Sequence, residues 1–192
     1  ASANCILYCG AKPVFGDIDP KTYNLSPETI SGKITGSTRG IIPVHFAGQS
    51  CDMESITTIK NEAERKFGRK VYVIEDASHA MGSVYKNFQV GSCAFSDMAV
   101  MSFHPVKHIT AGEGGVVLTN DEALYLKMKG LRSHGITTTR SEFVNPEVKS
   151  SGMGLIPPWY YEQVDLGYNY RLTDIQCALA ISQLRKLPQF MK

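Results

Sequence analysis

The stretch Val71-Tyr72-Val73-Ile74-Glu75-Asp76 constrains the fold more than any other. Four apolar residues are followed at once by two acids. A run so short and so continuously apolar predicts a strand buried on both faces, the situation of a parallel strand covered by helices. Acids at its carboxyl end then fall where open α/β sheets place their ligand crevices.

The surrounding pattern agrees. Between Asp52 and Phe67, the residues Met53, Ile56, Ile59, Ala63 and Phe67 recur at three-to-four spacing, which predicts an amphipathic helix ended by Gly68. Ser96–Phe103 and Gly115–Asn120 read as further strands, and Lys12–Asp17 and Arg39–Phe46 as two more, the latter despite Pro43. Helices are expected over Ala1–Tyr8, from a Ser26-Pro27-Glu28 start, over Glu122–Leu131, and from a Thr173 cap through Leu184. Strands alternating with helices imply an α/β layer fold with a mostly parallel central sheet and flanking helices. Gly135–Asp165 reads as a long polar region whose aromatic cluster is Pro157–Tyr161.

Composition narrows the class. The 192 residues are 43% hydrophobic and 20% charged, with a net charge of +2 and both signs interspersed. No basic block points to nucleic acid, and no apolar run is long enough for a membrane-spanning helix. The five cysteines are scattered without a Cys-x-x-Cys pair, which favours reduced thiols in a cytoplasmic protein. Cys5 and Cys9 could share a helix face, but no second ligand pair accompanies them, so no metal site is expected. The chain opens and closes inside helix-like segments, which reads as the interior of a longer protein.

Four constellations could carry chemistry. Asp76-Ala77-Ser78-His79 follows the predicted strand; its acid could hold a charged heterocycle or cap a following helix, on which His79 would share its face. Ser102 and Lys107 lie in SFHPVKHITAGEGG, between two predicted strands. A lysine there is either a solvated loop residue or a Schiff-base former, and Ser102 at the strand end could donate to a phosphate. His104 and His108 bracket the lysine with roles left open, since Pro105 disfavours the helix that i, i+4 metal ligands need. Gly112-Glu113-Gly114-Gly115 lacks the nucleotide-binding glycine patterns and reads as backbone clearance, with Glu113 structural. Asn169 and Arg171, just ahead of the last long helix, could meet an anion or simply pack a loop.

In combination these motifs are more specific. EDASHA, SFHPVKHITAGEGG, LRSHG and LGYNYRLTDIQCALAISQL, in that order, resemble the DegT/DnrJ/EryC1/StrS sugar-nucleotide aminotransferases, and GAKPVFGDIDPKTYNL extends the likeness toward the start. The resemblance implies a type I pyridoxal-phosphate (PLP) transferase fold, aspartate-aminotransferase-like, working as a homodimer. It implies that Lys107 holds PLP through a Schiff base and moves protons, and that Asp76 pairs with the pyridine nitrogen. His79 would lie near the ring hydroxyl, Ser102 would bond the phosphate, and Asn169 would reach the other subunit's cofactor phosphate. Arg171 would meet the substrate diphosphate or organise the dimer loop.

The segment WYYEQVDLGYNYR is similar to the pseudaminic-acid branch of the family, whose members aminate C4 of a UDP-linked 4-keto-6-deoxy-N-acetylhexosamine with glutamate as donor. Residues 1–192 would be part of the large, PLP-binding domain, with an N-terminal segment and a small C-terminal domain outside it. A sugar dehydratase of the same fold is the alternative, against which Lys107 argues because those enzymes carry histidine there. A non-catalytic PLP-binding regulatory protein is the other.

Overall fold

Strand pairing around Tyr72–Asp76 frames the computed structural model, which describes residues 1–150 and 156–192. The elements begin with α1 (Ser2–Tyr8), α2 (Pro27–Ser31), β1 (Gly40–Ile41), α3 (Met53–Phe67) and β2 (Tyr72–Asp76). A small hairpin of β3 (Val84–Tyr85) and β4 (Phe88–Gln89) precedes β5 (Met98–Ser102) and β6 (Gly115–Leu118). Then come α4 (Glu122–Arg132), β7 (Ile136–Thr137), α5 (Pro146–Ser150), β8 (Glu162–Gln163), α6 (Asp174–Leu184) and α7 (Leu187–Phe190). The chain divides into two units, Ala1–Asn120 with Asp174–Lys192, and Asp121–Thr173.

The first unit holds a four-stranded sheet in the order β1-β2-β5-β6. The β1–β2 and β2–β5 pairs are parallel, while β6 returns antiparallel to β5. The core on one side joins Ile41, Val71 and Val73 to Met53, Ile56 and Ala63 of α3, with Ile30 and Cys51. Helix α3 forms as its periodicity predicts: Asp52 accepts the Ser55 amide at 3.2 Å as N-cap, and Gly68 closes it in the left-handed conformation. Glu75 shares the buried face of Val73, and Asp76 falls on the half-buried face of Tyr72 and Ile74.

Three local expectations change. Lys12–Asp17 forms no strand among the described residues; Val14 and Phe15 are 64% and 71% exposed, and the nearest β pairing is an isolated bridge between Ile18 and Leu25. The strand expected over Arg39–Phe46 shrinks to Gly40–Ile41 plus an isolated bridge from Val44 to Asp76, because Pro43 has no amide hydrogen for the ladder. Ser26 precedes α2 as predicted, but its hydroxyl donates to the Glu28 carboxylate at 2.5 Å instead of capping a backbone amide.

In the second unit, Asp121 caps α4 by accepting the Leu124 amide at 3.1 Å. The polar region is organised rather than loose. β7 and β8 pair antiparallel, and the buried Glu162 accepts the amides of Val144 (2.6 Å) and Asn145 (3.1 Å) and the Tyr160 hydroxyl (2.8 Å). A Cβ on Gly135 would stand 2.0 Å from the Asp165 carbonyl oxygen, so LRSHG ends in glycine for close backbone approach. Residues 151–155 of the predicted polar region lie outside the described residues.

Candidate active site

Parallel pairing brings the carboxyl ends of β2 and β5 to one edge of the sheet, with Asp76 opposite Val100. Asp76 is the last residue of β2, and Ser102 the last of β5. The loops that leave these ends carry His79 and Lys107, and they meet in a shallow cleft of about 350 Å³ lined by Ala47, His79, Val106, Lys107 and His108. That volume is at the small end of the ~300–1,000 Å³ usual for small-molecule sites. The structure thus brings His79 and Lys107 together and sets Asp76 and Ser102 at the roots of their loops.

The loop around Lys107 is held at its ends by apolar residues. Phe103, Ile109 and Ala111 are buried, and the Phe103 carbonyl accepts both the Ala111 amide and the Thr110 hydroxyl at 3.0 Å. Between those anchors His104, Pro105, Val106 and His108 are exposed and Lys107 is half-buried. Its amino group has no hydrogen-bond or ion-pair partner among the described residues. His104 stands 3.8 Å from the exposed Glu113 carboxylate, a distance that gives little. Of the glycines, Gly112 and Gly114 take positive φ (80° and 132°), and Gly115 gives the clearance expected: a Cβ there would come 2.7 Å from the Met101 carbonyl oxygen on the neighbouring strand. Only glycine lets β6 re-enter the sheet opposite Ser102.

Asp76 is gripped at both oxygens. Ser2 of α1 donates to Oδ2 at 2.5 Å, and the Ser78 amide donates to Oδ1 at 3.1 Å. Burial pushes its carboxyl pKa upward, but these hydrogen bonds and the nearby His79 outweigh burial and hold it below the ordinary value. No helix follows β2, so Asp76 caps none; residues 77–82 form turns, and His79 reaches the cleft without the helical face expected from its spacing. Ser102 Oγ accepts the His104 amide at 3.2 Å, and its hydroxyl proton has no acceptor among the described residues.

The Ala47 side of the cleft adjoins a buried hydrogen-bond chain that sequence reasoning missed. His45 is 0% exposed; its Nδ1 accepts the Cys51 amide at 3.1 Å, so the proton sits on Nε2, which donates to Glu75 at 2.8 Å. Ser96 donates to the other Glu75 oxygen. Just past His45, the Phe46–Gly48 turn supplies Ala47 to the cleft, and Asn24 clamps that turn, accepting the Phe46 amide and donating to the Gln49 carbonyl, both at 2.9 Å. The Phe46 ring packs against His79 with centroids 6.1 Å apart. Neither the apolar run around His45 nor the polar turn around Asn24 gives a signal of these contacts; only Glu75, an acid within a buried strand, hints at one. Burial pushes the Cys51 thiol up to about 12, which leaves it an inert core residue.

Asn169 and Arg171 belong to the second unit, at exposed positions. There Asn169 bridges Ser133, and the rings of Tyr168 and Tyr170 stack 4.8 Å apart.

The family described as DegT/DnrJ/EryC1/StrS aminotransferases matches over residues 1–192. The UDP-4-amino-4,6-dideoxy-N-acetyl-beta-L-altrosamine transaminase of Campylobacter jejuni is 39% identical over 190 residues, 97% of this chain and 44% of that protein. The GDP-perosamine synthase of Caulobacter vibrioides is 38% identical over 191 residues, 100% of this chain and 44% of its own length. Among solved structures, Helicobacter pylori PseC, an aminotransferase involved in the biosynthesis of pseudoaminic acid, superposes with a TM-score of 0.82 at 34% identity, covering 98% of this chain and 44% of that one. The PLP form of a putative sugar aminotransferase from Streptococcus pneumoniae matches with a TM-score of 0.79 at 29% identity, covering 98% and 46%. The chain therefore spans less than half the length of these relatives. Family match, relatives and fold agree: this chain is a member of the DegT/DnrJ/EryC1/StrS aminotransferase family, with its α/β fold.

Proposed function

We propose that the full-length protein is a PLP-dependent aminotransferase that moves an amino group from glutamate to C4 of a UDP-linked 4-keto-6-deoxy-N-acetylhexosamine, in nucleotide-sugar synthesis for surface glycans. The observation that carries this reading is the Lys107 amino group, which has no partner among the described residues and shares a cleft with His79 where the loops after β2 and β5 meet. The residues present fit the cofactor: an amine free to bind a carbonyl, a carboxylate held anionic for a protonated ring nitrogen, and a serine hydroxyl with its proton to donate.

Bound PLP supplies an electron sink for reaction at an amino-bearing carbon. Lys107 Nζ would hold the cofactor and, once released, carry a proton between cofactor and substrate carbon. Asp76 would keep the proton on the ring nitrogen, His79 would pack at the ring-hydroxyl side, and Ser102 Oγ would donate to the phosphate. In this reading the enzyme is a cytoplasmic homodimer, Asn169 reaches the partner's cofactor phosphate, and Arg171 meets the sugar-nucleotide diphosphate. Near-equal identity to a GDP-perosamine synthase makes a GDP-linked 4-keto sugar the competing substrate.

The test uses the full-length protein. It is expected to hold PLP with visible absorbance that bleaches on adding glutamate, and then to aminate UDP-linked 4-keto sugar in preference to the GDP-linked one. Lys107→Ala should abolish both the covalent absorbance and turnover. A Lys107→Ala protein with unchanged absorbance would overturn the assignment of the lysine, and preference for the GDP-linked sugar would overturn the substrate.

A further inference from the structure

Ser2 has no part in the roles assigned above, yet its side chain makes the shortest hydrogen bond to Asp76. It is the first residue of α1, and its hydroxyl crosses 74 positions of sequence to donate to Asp76 Oδ2 at 2.5 Å. The other oxygen is taken by the Ser78 amide at 3.1 Å. A carboxylate bonded at one oxygen can still rotate about its Cβ–Cγ axis. Bonded at both, by a side chain from α1 and a backbone amide of its own loop, it has one orientation. Ser2 makes no capping bond for α1, so the helix gives no other account of the hydroxyl.

We infer that Ser2 is a positioning residue for Asp76: its hydroxyl fixes the plane of the carboxylate so that the remaining lone pairs face a protonated ring nitrogen. The inference rests on the PLP reading above. A hydroxyl donating to a carboxylate stabilises the ionised form, and the depressed Asp76 pKa is consistent with that. His79 is the titratable group that also acts on Asp76; the Ser2 and Ser78 contacts are neutral donors. Loss of the Ser2 hydroxyl frees the carboxylate to rotate and makes it more basic, so the shared proton shifts from ring nitrogen toward Asp76. That weakens both cofactor binding and the electron sink.

Two readouts test this in the full-length protein. The first is the Asp76 carboxyl titration followed by carbon-13 NMR without cofactor, with Asp76→Asn to assign the signal. The second is PLP affinity with the kcat and KM of the loaded enzyme. Ser2→Ala is expected to raise the titration midpoint, weaken PLP binding about tenfold and lower kcat with little change in KM. Its melting temperature should stay within about 2 °C of the unsubstituted protein. Ser2→Thr, which keeps the hydroxyl, should restore all of these. An unchanged Asp76 titration in Ser2→Ala overturns the inference, as does a loss that Ser2→Thr leaves unrepaired. If the unsubstituted protein binds no PLP, the proposed function falls, and the NMR arm still decides whether Ser2 governs Asp76.

Discussion

Glu75 and Asp76 are neighbours on one strand with nearly the same chemistry, and the pleat sends them to opposite faces. Glu75 is 4% exposed, and both its oxygens are bonded to protein donors that are themselves fixed, His45 and Ser96. Asp76 is half-buried at the sheet edge, with one donor on each oxygen and room beside the loops that carry His79 and Lys107. One carboxylate is wholly committed to holding the fold. The other, half-buried and held by one hydroxyl and one amide, is the one to which the proposed function gives a ligand. Burial and the rigidity of the donors separate the two roles; residue type does not.

The contrast can be broken most forcefully at Glu75. Glu75→Ala strands the His45 Nε2–H and the Ser96 hydroxyl inside the protein, and should cost about 3–5 kcal/mol in denaturant unfolding of the full-length protein. Glu75→Gln offers the imidazole a carbonyl and Ser96 an amide, and should cost less than about 1.5 kcal/mol, which isolates hydrogen bonding from charge. Asp76→Asn should do the reverse: a urea midpoint near the original, and turnover lower by on the order of 10²-fold. If Asp76→Asn instead unfolds the protein while Glu75→Ala does not, the assignment of the two carboxylates is inverted.

The smallest effect is in the pH dependence of stability. Because the folded pKa of Asp76 lies below its ordinary 3.8, its contribution is complete above that pH and is lost as pH falls through the folded value. The stability difference between the original protein and Asp76→Asn should therefore be flat from near neutrality down to about pH 5, and should shrink below the ordinary carboxylate pKa.

Much of the site was legible because it follows from local rules. VYVI reads as a buried strand, so Asp76 falls at its end; His79 was expected beside it on a helix, and it reaches the cleft from turns instead. The SFHPVKHITAGEGG segment has breakers at its centre and strand formers outside, so Lys107 had to sit in a loop at a sheet edge. Asp52 and Gly68 bracket α3 by capping chemistry that acts within one turn. What escaped depends on pairing between distant segments. KPVFGD has strand composition but no neighbour to pair with, and RGIIPVHF is cut short by Pro43. His45 looked like one more residue of an apolar run, and Ser2 like the start of a helix, because neither partner lies near in sequence. Asn169 shows another kind of limit: its proposed role needs a second subunit, which no local pattern within one chain describes.

The antiparallel return of β6 beside β5 has a consequence for assembly. These strands are joined by the Lys107 loop alone, so their pairing closes a short span of chain, whereas β2 must find β1 and β5 across longer connections. Loop-closure entropy favours the shorter span, though by less than about 1 kcal/mol, so the β5–β6 pairing that frames the lysine loop is the least costly of the three to close. Loss of the long-range β1–β2–β5 pairing alone would leave the Lys107 loop strung between its two strands while Asp76 lost its fixed place at the carboxyl end of the sheet.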